Sequence, residues 1–111
     1  MGSKVLTIAT VLIVDDFAPW RAEVRRILAV RHEWVIIGEA CDGLEAVQKA
    51  KEFPPDIMVL DLSMPNVNGI EAAELIRPQS PKPAIIFLAM NDDHDIWDAA
   101  LWVTGKRQKP N

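Results

Sequence analysis

The sequence predicts an α/β fold in which helices cover both faces of a parallel sheet. Two apolar runs, residues 11–14 and 57–60, each end in an aspartate and read as strands buried on both faces. Segments with the apolar spacing of helices follow these runs, so strands and helices alternate along the chain.

Composition limits the chain to one domain with a modest core. It has 111 residues, of which 50% are hydrophobic, and a net charge of −4 that argues against direct nucleic-acid binding. The single Cys41 excludes an internal disulfide, and we expect it to be a small, buried or half-buried residue rather than a nucleophile. No run of about 20 apolar residues predicts a membrane span. We therefore expect a cytoplasmic protein with no membrane partner.

Residues 4–14 are expected to form one long strand or two short ones, with the first buried strand within residues 11–14. Pro19 suits the first turn of a helix. Apolar residues recur along that helix with helical spacing, at Trp20, Val24, Ile27 and Leu28. The opposite face is charged and carries Arg21, Glu23, Arg25 and Arg26.

Residues 34–40 are predicted to form the second strand. Asp42, with Glu45 three residues later, is a capping-box-like start for a helix that runs to about Phe53. Residues 54–55 are both proline and stop that helix, because proline cannot donate a helical hydrogen bond.

After the third strand at residues 57–60, Asn68 and Glu71 predict the cap of a short helix through Arg77. Residues 84–89 form a fourth apolar run.

A last helix is then expected to carry Ile96, Trp97, Ala100 and Leu101. From residue 105 onward the chain is polar and predicts neither a fifth strand nor a fifth helix. The predicted organisation is an N-terminal extension at residues 1–9, a domain at residues 10–104 and a polar tail at residues 105–111.

Three acidic residues follow two of the predicted strands. If both strands are central and parallel, Asp15, Asp16 and Asp61 converge at one edge of the sheet, where open α/β sheets bind ligands. Three carboxylates there repel one another and raise each other's pKa unless a cation neutralises them, and oxygen ligands favour Mg²⁺. The alternative is that these aspartates are solvated loop residues.

These residues resemble a response-regulator receiver domain, the phosphoacceptor module of two-component signalling. The resemblance spans about residues 10 to 101. It is carried by residues 11–16, which end in Asp15-Asp16, by Gly38-Glu39-Ala40 with residues 42–46, by residues 55–65 around Asp61, by Asn68-Gly69, and by residues 85–88 with 91–93. The last of these is similar to receivers that carry a helix-turn-helix output domain.

The resemblance implies a flavodoxin-like (CheY-like), doubly wound parallel sheet of strand order 2-1-3-4, with the fifth strand and helix missing or degenerate. It implies that Asp61 accepts a phosphoryl group from a histidine kinase or phosphotransfer protein. By the same resemblance Asp16, Asp61 and the main-chain carbonyl of Ser63 would ligate Mg²⁺ directly, and Asp15 would act mostly through water. Such a chain is a phosphoacceptor rather than an enzyme, with at most self-phosphorylation and self-dephosphorylation chemistry.

The chain departs from the receiver pattern near its end. The switch hydroxyl falls on Ala89, the switch aromatic is missing, and the active-site lysine is represented only by Lys109 or Lys106 in a segment that does not match. These departures leave open an alternative function, a degenerate pseudo-receiver that binds a protein partner independently of phosphorylation. A phosphatase of the haloacid-dehalogenase type also uses a strand-end aspartate, but it requires a second aspartate where this chain has Ser63.

The missing fifth strand would leave the fourth as an exposed edge. Such an edge pairs readily with another chain, so a homodimer or a strand-exchanged assembly is a further hypothesis. The alternative is a truncated chain that is marginally stable on its own.

Overall fold

The computed structural model describes residues 8–64 and 66–88, and within them four strands alternate with three helices. The strands are β1 (Ala9–Val14), β2 (Trp34–Ala40), β3 (Ile57–Asp61) and β4 (Ala84–Leu88). The helices are α1 (Ala18–Leu28), α2 (Gly43–Glu52) and α3 (Gly69–Ile76). No helix in this described part has the length and apolarity that crossing a membrane requires.

The strands form one parallel sheet in the order β2-β1-β3-β4. This confirms the predicted flavodoxin-like, doubly wound sheet of order 2-1-3-4. The predicted helix after β4, and the segment in which a fifth strand was expected to be missing or degenerate, lie outside the described residues. Within them β4 pairs with β3 alone, and assembly through the other edge of β4 stays a prediction.

Side chains of the two central strands alternate between two apolar clusters, one on each face of the sheet. Val11 and Ile13 of β1 pack with Val24 of α1 on one face. Leu12 and Val14 belong to a larger cluster with residues of α2 and α3 on the other face. Because both faces are covered, β1 and β3 are almost fully buried, as the apolar runs predicted.

A β-bulge interrupts the pairing of β2 with β1. Val11 pairs with Ile36, but the next pair is Leu12 with Gly38, so Ile37 is an extra residue on β2. Beyond the bulge Ile13 pairs with Glu39. The bulge therefore determines which face of the sheet the end of β2 presents.

Side-chain caps start the second and third helices where the sequence predicted. The Asn68 side chain accepts the Glu71 amide and the Glu71 carboxylate accepts the Asn68 amide, which completes a capping box. Asp42 accepts the amide of Glu45, whose carboxylate accepts the amide of Cys41 rather than that of Asp42. Helix ends differ from the prediction by one residue, because α2 ends at Glu52 and α3 at Ile76.

The prediction of a buried or half-buried Cys41 was wrong, because the residue is exposed. Its thiol stands beside the carboxylates of Glu45 and Asp42, and hydrogen bonding to Glu45 raises the thiol pKa. A raised pKa lowers the thiolate fraction, so Cys41 remains a poor candidate nucleophile.

Candidate functional site

Asp61 is the last residue of β3, a strand that pairs with β1 on one side and β4 on the other. Asp61 is only 5% exposed. The amide of Ser63 donates a hydrogen bond of 3.0 Å to Asp61 Oδ1, so the turn after the strand holds the carboxylate. This arrangement presents a buried, oriented carboxylate at the carboxyl edge of the sheet.

Asp15 and Asp16 form the turn between β1 and α1 at the same edge. Asp15 is buried, its amide donates to the carbonyl of Ala40 at 3.0 Å, and its Oδ1 accepts the amide of Phe17 at 2.9 Å. Asp16 is exposed. The turn therefore fixes one carboxylate in the protein and leaves the next at the surface.

The structure brings the three predicted aspartates together. One carboxylate oxygen from each of Asp15, Asp16 and Asp61 lies within 4.8 Å of the other two. The sequence-based alternative, three independent solvated loop residues, is inconsistent with the burial of Asp15 and Asp61.

The pKa values of the two buried aspartates are both raised. Burial is the largest cause of the raised Asp61 pKa, which the Ser63 amide opposes and the nearby Asp16 increases. Burial also raises the Asp15 pKa most, opposed by the Phe17 amide and increased by the charges of Asp61 and Asp16. Among the described residues, the two amides and the charge of Arg21, which lowers the Asp15 pKa, do not outweigh burial and the neighbouring carboxylates.

This donor set fits a hard divalent cation. Three converging carboxylates supply only oxygen ligands, which Mg²⁺ prefers, and a bound cation would remove their mutual repulsion. Asp15, Asp16 and Asp61 are the residues that would hold it. Ser63 lies in the turn beside Asp61, and the role of its main-chain carbonyl stays a prediction.

The remaining predicted site residues are not described by the structure. Ala89, at the predicted switch position, follows the last described residue, Leu88. Lys106 and Lys109, the candidates for the active-site lysine, also lie outside the described residues. Their contribution to the site stays a prediction.

Arg21 contacts the site although the sequence placed it on a charged surface face of the first helix. Its Nη1 donates to the main-chain carbonyl of Asp15 at 2.7 Å, and its Nε donates to Glu39 Oε1 at 2.9 Å. Its side chain is 18% exposed. Helical spacing gave no signal for these contacts, because they depend on how α1 lies against the end of β2.

Gly69 also contributes to the site, and the sequence alone did not show why glycine is required there. A Cβ at this position would overlap the main-chain carbonyl group of Asp61. The first turn of α3 therefore approaches the end of β3 more closely than any other residue type permits.

The comparisons with known proteins identify the family. The family model described as the response regulator receiver domain matches residues 11–106. The chain belongs to this receiver domain family. The acidic cluster lies within the matched range.

Receiver domains similar to this one occur in curated proteins and in solved structures. The chain is 42% identical, over 82 residues, to a protein-glutamate methylesterase/protein-glutamine glutaminase of Methanosarcina acetivorans, a match that covers 74% of this chain and 24% of that protein. The response regulator domain of Thermotoga maritima CheB is 37% identical, with a TM-score of 0.80 and coverage of 87% of this chain and 73% of that one. A CheX–CheY–BeF3–Mg²⁺ complex from Borrelia burgdorferi contains a chain 29% identical, with a TM-score of 0.78 and the same coverage.

The chain spans between 21% and 41% of the length of eight curated relatives. These relatives include methylesterases and transcriptional regulators. What they share with this chain is the receiver domain.

Proposed function

We propose that this receiver domain accepts a phosphoryl group on Asp61 from a histidine kinase or a phosphotransfer protein, in a reaction that requires Mg²⁺. The observation that carries the proposal is the convergence of Asp15 and Asp16 on Asp61, with carboxylate oxygens within 4.8 Å. A nucleophilic carboxylate beside a site for a hard cation is the arrangement that phosphoryl transfer needs.

Asp61 would act as the nucleophile. A carboxylate oxygen forms a bond to phosphorus while the bond from phosphorus to the donor's leaving atom breaks, and the electron pair of that bond leaves with the donor. The product is an acyl phosphate on Asp61. The Ser63 amide, which donates to Oδ1, holds the carboxylate in one orientation before the attack.

Asp15 and Asp16 would hold the cation together with Asp61. When bound, Mg²⁺ supplies positive charge to the equatorial oxygens of the transferring group. Asp16, which is exposed, would approach the ion directly, and Asp15, whose carboxylate accepts the Phe17 amide, would act mostly through water. The main-chain carbonyl of Ser63 is proposed as a further ligand.

The wider assignments are proposals of the same kind. The domain would occupy residues 10–104, act as a phosphoacceptor rather than an enzyme, and reside in the cytoplasm, the setting typical of the family. The complex of CheX with CheY among the similar structures supports a protein partner for a receiver of this fold.

Intact-mass measurement tests the proposal. The chain is incubated with acetyl phosphate and Mg²⁺ beside an Asp61→Asn variant, and each sample is repeated in EDTA. We expect the mass of one phosphoryl group on the wild type with Mg²⁺, and no gain in the variant or in EDTA.

A different result would favour the pseudo-receiver. If the wild type binds Mg²⁺ by calorimetry but gains no phosphoryl group, Asp61 is not an acceptor and the chain acts without phosphorylation. A gain that persists in Asp61→Asn would place the acceptor at another residue and contradict the assignment.

A further inference from the structure

Arg21 joins the turn that carries the acidic residues to the end of β2. One side of its guanidinium donates to the main-chain carbonyl of Asp15, and another donates to the carboxylate of Glu39. Because the guanidinium is a rigid planar fork, two bonds in different directions fix both partners relative to each other.

The carbonyl that Arg21 binds belongs to the peptide group between Asp15 and Asp16. The amide of Asp15 is already bound to the carbonyl of Ala40, at 3.0 Å. With the Arg21 bond of 2.7 Å, both main-chain groups of Asp15 are held by β2, one directly and one through Glu39. Arg21 therefore helps to hold the peptide group through which the chain continues to Asp16.

The β-bulge at Ile37 makes this link geometrically available. Paired residues of neighbouring parallel strands point to the same face, so Glu39, opposite Ile13, lies on the α1 face of the sheet. If the same sequence continued in regular register from the Val11–Ile36 pair, Glu39 would pair with Val14 and point to the opposite face, away from Arg21. The bulge thus directs the carboxylate to the helix that carries the arginine.

Arg25 provides an internal comparison. It donates to the same carboxylate, from Nε and Nη2 to Glu39 Oε2 at 2.9 and 2.6 Å, and its side chain is 47% exposed. Of these two arginines, Arg21 alone donates a hydrogen bond to Asp15 among residues 8–64 and 66–88. Removing Arg25 therefore removes an ion pair to Glu39 and keeps the link to the acidic turn.

We propose that Arg21 is a positioning residue for the acidic site, which orients the Asp15–Asp16 peptide so that the aspartates converge on Asp61 to bind a divalent cation. This inference rests on the proposed Mg²⁺-dependent function. The positioning role predicts that removing Arg21 weakens Mg²⁺ binding, whereas an effect of its charge alone predicts the opposite. If Arg21 acted only through its charge, its removal would make the site more negative and strengthen Mg²⁺ binding.

Isothermal titration of Mg²⁺ into the full chain tests the proposal. The variants are Arg21→Met, Arg21→Lys, which keeps the charge but lacks the planar fork, and Arg25→Met as the control. Circular dichroism and thermal unfolding verify that each variant is folded. Losing a contact that orients a ligand costs metal affinity by about 10-fold or more, so we expect that increase in Kd for both Arg21 variants. Loss of the half-exposed Arg25 pair should change Kd by no more than about threefold.

A second measurement separates positioning from general stability. The initial rate of phosphorylation by acetyl phosphate is followed against Mg²⁺ concentration. Positioning predicts that the half-saturating Mg²⁺ concentration rises in the Arg21 variants while the rate at saturating Mg²⁺ stays near that of the wild type. A merely structural role would lower the saturating rate and leave the half-saturating concentration unchanged, which would overturn the proposal.

The titrations have clear contrary outcomes. Unchanged or tighter binding in both Arg21 variants overturns the inference and leaves the proposed function intact, and so does equal weakening in Arg25→Met. A wild type that binds no Mg²⁺ overturns both the proposed function and the inference. If Arg21→Met does not fold, Arg21→Lys decides alone.

Discussion

Neutralising Asp61 is expected to stabilise the protein when no divalent cation is present. Asp61 is 5% exposed and lies within 4.8 Å of two other carboxylates, and burial raises its pKa. The substitution Asp61→Asn keeps the shape of the side chain and an oxygen that accepts the Ser63 amide. It removes the charge that burial and its neighbours disfavour.

The size of the effect follows from the separation of the carboxylates. Two unit charges at 4.8 Å, the upper limit of the separations in this cluster, repel by about 3.5 kcal/mol at an effective dielectric constant of about 20, and by about 0.9 kcal/mol in bulk water. Asp61 belongs to two such pairs, one of them with the exposed Asp16, where water screens the charge. The lost charge-assisted bond from Ser63 offsets part of the gain. We expect a net increase of about 1–3 kcal/mol in the free energy of unfolding.

Urea unfolding followed by tryptophan fluorescence measures this difference. In EDTA at neutral pH, the Asp61→Asn variant should unfold at the higher urea concentration. Mg²⁺ at about 100 times its Kd should stabilise the wild type by about 2.7 kcal/mol, and the variant, which lacks one of the proposed ligands, by much less. The cation should therefore reduce the difference in stability between the variant and the wild type, or reverse its sign.

The pH dependence of stability independently tests whether the charge of Asp61 destabilises the folded protein. The folded-state pKa of Asp61 lies above its ordinary value of 3.8, so the folded protein takes up the proton first as pH falls. In EDTA the wild type should have a lower free energy of unfolding than Asp61→Asn. This difference should shrink as pH falls through the folded-state pKa and disappear near pH 3.8. A variant less stable than the wild type in EDTA, or a difference that depends on neither pH nor Mg²⁺, would refute the reasoning.

Two further predictions concern residues around the ends of β3. Gly69→Ala would place a Cβ against the main-chain carbonyl of Asp61, so we expect a loss of about 1–3 kcal/mol in urea unfolding; Gly38→Ala is the control, because its Cβ has an ordinary nearest contact of 3.5 Å. Equal midpoints for the two variants would contradict this. At the other end, the amide of Thr10 lowers the pKa of Asp56 below 3.8, so the stability that Asp56 contributes is present above that pH and lost as pH falls through its folded-state pKa. Asp56→Asn should therefore weaken the acid dependence of the melting temperature, and an unchanged acid dependence would exclude the role.

The parts of the fold that local chemistry determines were predictable from the sequence. Asn68 and Asp42 start helices through hydrogen bonds to residues three positions away, so the signal lies within one turn. The bulge at Ile37 had no such signal, because it is a property of two paired strands. Helical spacing likewise placed Ile27 on the apolar face of α1, but it is 51% exposed, since spacing does not show what covers a face.

The same distinction applies to the site. The three aspartates were predictable because residues that follow the carboxyl ends of parallel strands lie at the same edge of the sheet. Arg21 and Gly69 were not, because their roles depend on residues far away in the chain or on a close approach of two main-chain segments. Sequence reasoning therefore found the candidate ligands and missed the residues that hold them in place.

The supporting contacts orient the carboxylates without offsetting the rise in pKa that burial causes. The Phe17 and Ser63 amides donate single hydrogen bonds, which lower the pKa of Asp15 and Asp61 less than burial raises it. Arg21 brings a full positive charge close to the site, but it is paired with Glu39, whose pKa is held below its usual value first by Arg25 and then by Arg21. An unpaired arginine at this position would compete with a cation for the carboxylates. Pairing it with Glu39 lets the guanidinium hold the turn while the charge of the site remains for the ion.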